Sequence, residues 1–509
     1  MPYSRFPPRM GIDPCLLFLY RELRWARSLK ILFAASEAAP FAKTGGLADV
    51  LEGLPRALAA MGHDVAVVLP FYRGIGARRL VLPSLSVPVG PRMHFPAIRE
   101  GDPLHGVRYF FVDAGEFFDR GGIYGEFGGA FRDNPERFTL FSRAVLEIAK
   151  QLWPADVIHC HDWQTALVPV LLRGVYGYDP EFSRVPVVFT VHNMAYQGRY
   201  GQDVLWRTGL PGHLFNINGL EFWGDVNFLK GGLLFADFLT AVSRKYAEEI
   251  QTPENGYGLD AVVRARASRL TGILNGADYT TWNPENDRWI SAHYSAADTT
   301  NKATCKRDLL RELRLPAENN NRMLVGIVSR FVEQKGFDLI AQVAREFLDE
   351  DVCMVALGSG DHRYESFFRM VADARPDRVA VRIGFDNMLA HKIEAGADLF
   401  LMPSRYEPCG LSQMYSMKYG TIPLVRATGG LDDTVEPFEL DSGRGTGFKF
   451  GDPTGPALLD TLRWALHCFR NRKAWGKLMQ NAMAQNFSWE VAAQKYVEVY
   501  ERARAVRAG

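Results

Sequence analysis

The sequence predicts an α/β fold of two doubly wound, parallel-sheet units facing a central cleft. Three observations predict it. Short runs rich in Val, Ile, Leu and Phe alternate with helical patterns, and runs apolar on both faces suit parallel strands covered by helices. The runs fall into two series, one in each half of the chain. The Gly-rich and polar motifs follow the carboxyl ends of these runs, where open α/β sheets hold their ligands.

The first series is Lys30–Ala35, Asp64–Leu69, Arg108–Asp113, Asp156–Cys160, Val187–Val191 and Phe238–Ala241. After its first run comes Lys43-Thr44-Gly45-Gly46-Leu47-Ala48-Asp49. Leu47, Val50, Leu51, Leu54, Leu58 and Met61 then recur at helical spacing, with Pro55 interrupting and Gly62 as the stop. A lysine and paired glycines between strand and helix predict an anion site, built from bare N–H groups and the helix dipole. The pattern is neither G-x-G-x-x-G nor a Walker A loop, because the lysine precedes the glycines. Asp49 also suits the first helical turn for its charge alone. The second series is Met323–Val328, Val352–Leu357, Val379–Ile383, Asp398–Met402 and Ile422–Val425. It opens with the same device, strand then Ser329-Arg330, loop, Lys335-Gly336. The units are expected over 29–272 and 273–484. An amphipathic helix over Glu490–Val506, within 485–509, is expected to pack back across the junction. Residues 1–28 read as a loose extension or a misplaced start.

At 509 residues the chain exceeds a single hydrophobic core. Hydrophobic residues make up 47% and charged residues 23%, the balance of an ordinary globular enzyme. A net charge of +1 supplies no field to collect nucleic acid or an anionic membrane. No stretch reaches the roughly 18 apolar residues of a membrane span. Arg5, Arg9, Arg21, Arg24 and Arg27 flank a run, Leu16–Tyr20, too short for a secretory signal. The six cysteines lack paired spacing, which points to reduced thiols in a reducing, cytoplasmic compartment.

The chemistry-bearing residues are His161-Asp162-Trp163-Gln164 after Cys160, His192-Asn193 after Val191, and Arg330 with Lys335 after Val328. Pro403-Ser404-Arg405-Tyr406-Glu407-Pro408-Cys409-Gly410-Leu411 and Thr428-Gly429-Gly430-Leu431 complete the set. Singly, each has a plain reading: a solvated Arg and Lys, a satisfied histidine, a glycine turn. His159 and His161 form an H-x-H pair without a third ligand, so no metal is expected. Asp349-Glu350-Asp351 lies just before a strand, at the wrong end for a ligand, and reads as solvated charge. Gly358-Ser359-Gly360 is weak as a cofactor loop and suits a nucleotide contact better.

Taken in order, Lys-Thr-Gly-Gly-Leu-Ala-Asp (43–49), His-Asp-Trp (161–163), Leu-Asn-Gly-Ala-Asp (274–278), Arg-x4-Lys-Gly (330–336), Glu-Pro-Cys-Gly-Leu (407–411) and Thr-Gly-Gly-Leu (428–431) resemble the bacterial glycogen synthase and plant starch synthase family, which has the GT-B fold. The resemblance runs from about residue 30 to 505. It implies transfer of glucose from ADP-glucose to the non-reducing-end 4-hydroxyl of an α-1,4-glucan, with retention and without a cofactor. It implies that Arg330 and Lys335 neutralise the departing diphosphate. Phosphate contacts are implied for Thr428, Gly429 and Gly430 from one side and for Lys43, Gly45 and Gly46 from the other. Glu407, with Cys409, Gly410 and Leu411, is implied at the donor sugar, where the carboxylate stabilises a cationic anomeric carbon. His161 is implied as a hydrogen-bond partner of the donor glucose. Asp49, Asp133, Asn134, His192, Asn193 and Asn275 occupy family-like positions near the cleft. The bacterial-style short N-terminus favours ADP-glucose over UDP-glucose, though no base-reading residue is marked. The rival readings are a UDP-sugar-using or other retaining GT-B transferase, a pyridoxal phosphate-dependent phosphorylase, and a silent glucan-binding protein.

Overall fold

The structure, a computed structural model, describes residues 28–76, 79–126 and 128–508. The extension expected over 1–28 therefore falls, but for Ser28, outside the described residues.

A nine-stranded sheet organises the first half. Its strands in chain order are β1 (Lys30–Ala34), β2 (Asp64–Pro70), β3 (Arg79–Leu82), β4 (Ala97–Glu100), β5 (Val107–Asp113), β6 (Val157–His161), β7 (Val187–Val191), β8 (Phe238–Ala241) and β9 (Leu270–Gly272). Their spatial order is β9-β8-β7-β6-β1-β2-β5-β4-β3. All neighbours from β9 to β5 are parallel, and β4 and β3 add an antiparallel edge. A six-stranded, wholly parallel sheet organises the second half: β10 (Met323–Val328), β11 (Val352–Gly358), β12 (Val379–Ile383), β13 (Leu399–Met402), β14 (Ile422–Arg426) and β15 (Phe448–Phe450). Its order is β12-β11-β10-β13-β14-β15. Strand order reverses between β1 and β6 in one sheet and between β10 and β13 in the other. Ligands of doubly wound folds sit at such reversals.

Two strands begin one residue after their runs do, at Val157 and Leu399. The preceding Asp156 and Asp398 still donate their N–H groups to the Lys30 and Leu324 carbonyls, at 2.7 and 2.9 Å. Asp156 accepts the Lys30 N–H at 2.8 Å and Asp398 the Leu324 N–H at 2.8 Å, so each closes the first rung of a neighbouring strand. Asp237 does the same for Val187 at 2.8 Å. The edge strands β9 and β15 have three residues each, too short to stand out as apolar runs.

The helices that matter for the site are α1 (Gly46–Ala60), α2 (Asn134–Gln151), α3 (Arg244–Glu249), α4 (Ser412–Lys418), α5 (Gly429–Thr434) and α6 (Trp489–Ala508). Helix α1 runs through Pro55 and buries Leu47, Val50, Leu51, Leu54 and Leu58 on the face its spacing predicts. Helix α6 returns from the second half to the first. Its Trp489, Tyr496, Val497 and Tyr500 share one core with Leu51 and Leu54 of α1 and with Ile31, Val188 and Phe238 of the sheet. No helix among the described residues is long and apolar enough to cross a membrane. Cys160, Cys305, Cys353, Cys409 and Cys468 are all buried and free.

The indole of Trp489 occupies the space a side chain at Gly53 would need, since a Cβ there would lie 2.0 Å from its Nε1. Gly53→Ala is expected to cost about 1–3 kcal/mol through overpacking. That outweighs the roughly 1 kcal/mol alanine gains over glycine inside a helix. The variant should show a lower urea midpoint, and an unchanged midpoint would contradict this packing.

Candidate active site

The loops after β10 and β13 meet at the second reversal. Arg405 N–H donates to the Gln334 carbonyl at 2.8 Å, and Gln334 Nε2 to the Tyr406 carbonyl at 3.3 Å. Gly336 has φ +70°, and a Cβ there would fall 2.0 Å from the Pro403 carbonyl oxygen, so only glycine lets the loops approach this closely. Gly358 is required in the same way under the Arg330 loop, where a Cβ would lie 1.9 Å from the Ser329 carbonyl oxygen. This seam brings Lys335 Nζ to 2.5 Å from Glu407 Oε2, and Ser404 Oγ donates to the same oxygen at 3.1 Å. Glu407 is buried and Lys335 mostly so. Arg330 is exposed and has no ion-pair or hydrogen-bond partner for its guanidinium among the described residues.

Beyond Glu407 the chain turns through Gly410, φ +71°, and Leu411 into α4. The N–H groups of Gly410, Leu411 and Ser412 have no acceptor among the described residues. The Thr428-Gly429-Gly430 segment differs from expectation. It does open α5, but its N–H groups are occupied: Gly429 donates to Glu249 Oε1 at 2.9 Å and Gly430 to the Glu407 carbonyl at 3.0 Å. A Cβ at Gly429 would lie 2.0 Å from that same carbonyl oxygen, so these glycines serve close packing on the Glu407 loop. Glu249 reaches α5 from α3, and Asp433 of α5 in return accepts the Lys245 N–H of α3 at 2.9 Å. Each helix thus caps the other across the cleft. Burial raises the Glu249 carboxyl against the opposing Gly429 N–H.

The first half presents two loops at its own reversal. The Lys43 loop keeps a resident anion: Glu37 accepts the N–H groups of Thr44 and Gly45, the Thr44 hydroxyl and the Tyr124 hydroxyl. The expected anion site at Thr44 and Gly45 is therefore filled by the protein itself. Gly45 and Gly46 nonetheless have negative or extended φ and nothing within 4 Å of a built Cβ. Neither positive φ nor close packing demands glycine there. Lys43 Nζ pairs with Asp49 at 2.6 Å, and burial raises the Asp49 carboxyl while Lys43 opposes it.

After β6, His161 is fully buried, with Nδ1 2.9 Å from His192 Nε2 and its own Nε2 without a partner. Burial, then His159 and His192, holds its pKa well below the usual value, and burial brings His192 to about 3. His161 is thus held at the end of β6 with Nε2 buried and without a partner among the described residues. His159 bonds Tyr500 of α6 at 2.8 Å and Thr190 at 2.6 Å, which accounts for the H-x-H pair as packing. Asn193 holds the Ala195 N–H at 3.0 Å and also meets the Tyr406 hydroxyl, linking the two halves beside Glu407.

Three expected residues are held by protein partners. Asn134 is buried, donating to the Tyr124 carbonyl and accepting from Arg137. Asp133 forms a two-pronged pair with Arg120 at 2.8 and 2.5 Å; burial would raise its carboxyl, but Arg120 prevails and lowers it. Asn275 is buried beside Cys409, whose thiol burial pushes up to about 12, with the Asn275 N–H opposing. The structure therefore brings Lys335 to Glu407 and Asn275 to Cys409, beside Gly410 and Leu411, with Arg330 on the loop that leads to Lys335. Asn193 reaches the same segment through Tyr406, while His192 meets His161. Asn134 lies behind Tyr124, and Asp133 is paired with Arg120. Sequence reasoning did not single out Glu37, Asp162, Glu249 or Tyr406; Asp162 and Tyr406 lay inside quoted motifs.

Two facing parallel sheets with site loops at both reversals define a GT-B glycosyltransferase. The starch synthase catalytic domain description matches residues 30–265, and that of group 1 glycosyl transferases matches residues 312–481. The glycogen synthase of Koribacter versatilis (strain Ellin345) is 53% identical over 94% of this chain and 99% of its own. Glycogen synthase 1 of Geobacter metallireducens is 47% identical over 95% and 98%. The catalytic domain of starch synthase IV from Arabidopsis thaliana, solved bound to ADP and acarbose, superposes with a TM-score of 0.85 at 34% identity, over 94% of this chain and 100% of that one. Sucrose-phosphate synthase from Thermosynechococcus elongatus shares the fold, with a TM-score of 0.58 at 18% identity over 94% and 99%. The chain belongs to the bacterial glycogen synthase and starch synthase family.

Asp162 offers a test of the site's electrostatics. Burial lifts its carboxyl to about 7, against the N–H groups of His192 and Asn193. An unfolded aspartate titrates near about 4. Between these values the folded chain keeps a proton that the unfolded chain has released, so stability falls as pH rises through the window. Asp162→Asn cannot titrate and should flatten that fall. Melting temperatures of both proteins between about pH 4 and pH 8 measure it; parallel curves would refute the assignment.

Proposed function

We propose that the protein transfers glucose from ADP-glucose to the non-reducing-end 4-hydroxyl of an α-1,4-glucan, with retention of configuration. The observation that carries this reading is Arg330, exposed and without a counter-ion among the described residues, on the loop that leads to the Lys335–Glu407 pair. Breaking the anomeric C–O bond puts negative charge on the departing diphosphate and positive charge on the sugar carbon. Groups aimed at those charges lower the barrier by meeting them only as they develop.

Arg330 supplies a planar fork for two phosphate oxygens. Lys335 bridges diphosphate and Glu407. The unpaired N–H groups of Gly410, Leu411 and Ser412 add neutral donors, a role the sequence had assigned to Thr428–Gly430. Glu407, with Oε2 held by Lys335 and Ser404, stands in this reading as a negative neighbour for the cationic sugar. Retention then follows from attack on the face the diphosphate leaves, with the acceptor hydroxyl giving its proton to a departing phosphate oxygen. Closure of the halves keeps water from the donor. The starch synthase IV structure holds ADP and acarbose, which supports a nucleotide donor and a glucan-like acceptor. Buried free cysteines suit a cytoplasmic setting.

Radiolabel incorporation into glycogen from ADP-glucose, with UDP-glucose as control, tests the donor. Arg330→Ala is expected to lower kcat by about 10²–10³-fold, on the scale of losing one charge-stabilising donor, while glucan affinity stays nearly constant. Lys335→Ala should cost more, because it also strands the Glu407 carboxylate. Unchanged turnover in both variants would leave only a glucan-binding role.

A further inference from the structure

The residue after His161 carries a conformation that its side chain does not favour. Asp162 has φ +57° and ψ −176°, a region essentially reserved for glycine. Its N–H nevertheless continues the ladder to the Thr190 carbonyl at 3.0 Å, and its Oδ1 accepts the His192 N–H at 2.7 Å. Thr165 braces the other side, accepting the His161 N–H at 2.7 Å and donating to the His161 carbonyl at 2.8 Å. Strain of this kind persists only where the surroundings over-determine it, and here it aims a carboxylate at the turn that carries His192.

We propose that Asp162 and His192 are positioning residues for His161: Asp162 fixes the His192 turn, and His192 sets the tautomer of His161 so that Nε2 is a bare acceptor for a sugar hydroxyl. Two neutral imidazoles joined by the 2.9 Å contact share a single proton between them. If His192 supplied it, His161 would bury an N–H at Nε2 with no acceptor. Orphaned buried N–H groups are rarer than orphaned lone pairs. If His161 supplies it from Nδ1, the buried Nε2 is a lone pair, and His192 carries its remaining N–H at Nδ1, on a ring that is only partly buried. The second arrangement wins. His192 thus serves the site without touching substrate.

This inference rests on the reading that His161 faces the donor sugar, but its first test does not. Histidine-selective 15N labelling of the full chain, with His161 assigned from a His161→Gln variant, should show Nδ1 protonated and Nε2 bare in the free enzyme. In His192→Phe the fixed tautomer should give way to an averaged one. An Nε2-protonated His161 in the wild type, or an unaltered spectrum in His192→Phe, would overturn the proposal. The second test is kinetic. Asp162→Gly keeps the backbone geometry without the carboxylate, and should lower kcat about 10- to 100-fold, the scale of a small misplacement. Asp162→Asn, which retains an acceptor oxygen, should recover most of that loss. A purely structural role predicts instead that Asp162→Gly lowers the melting temperature while kcat of the folded fraction is unmoved, and that result would also overturn the proposal. Absence of glucosyl transfer in the wild type would strike the functional reading alone, since the 15N signals report the tautomer regardless.

Discussion

The Lys335–Glu407 pair is the contact around which the site is arranged. A buried carboxylate is costly unless it is paired and hydrogen-bonded, and Glu407 has an ammonium at 2.5 Å and a hydroxyl at 3.1 Å. Those partners come from loops on adjacent strands, β10 and β13, that are far apart in sequence. Their meeting requires Gly336 to press against the Pro403 carbonyl and Gly429 against the Glu407 carbonyl. Charge satisfaction and close backbone packing are therefore one constraint, and Arg330 keeps no counter-ion among the described residues.

The first half solves the reverse problem. Its loop at Thr44 and Gly45 offers N–H donors to an anion, and Glu37 supplies one permanently. Glu249 does the same at Gly429. Both carboxylates brace their loops without a ligand, while the N–H groups of Gly410, Leu411 and Ser412 keep no acceptor among the described residues. Rigidity of this kind reduces what must be ordered when substrate binds.

Much of this was legible from residues alone. Strands β1, β2, β5 to β8 and β10 to β14 show as apolar runs because both faces are covered, and Lys335, Gly336 and Glu407 stand out because glycine and charge punctuate those runs. The partners of the loop N–H groups were not legible. Glu37 and Glu249 are unremarkable glutamates in sequence, and only the fold brings Glu249 to a helix 180 residues away. That the Asp156 and Asp398 carboxylates cap a neighbouring strand is a tertiary fact. The burial of Asn134 and the pairing of Asp133 with Arg120 are likewise decided by packing behind Tyr124, which no local pattern records.

Helix α6 has a consequence for how the chain is made. Trp489, Tyr496 and Tyr500 complete a core whose other members, Ile31, Leu51 and Val188, are synthesised hundreds of residues earlier. Helix α1 covers part of that face of the first sheet, and the rest stays open until α6 has been made. Domains of long chains generally condense in order of synthesis, but here the core of the earliest sheet is completed by a helix that follows the whole second half. A nascent chain stalled before Trp489 therefore holds that sheet with α1 in place and α6 missing.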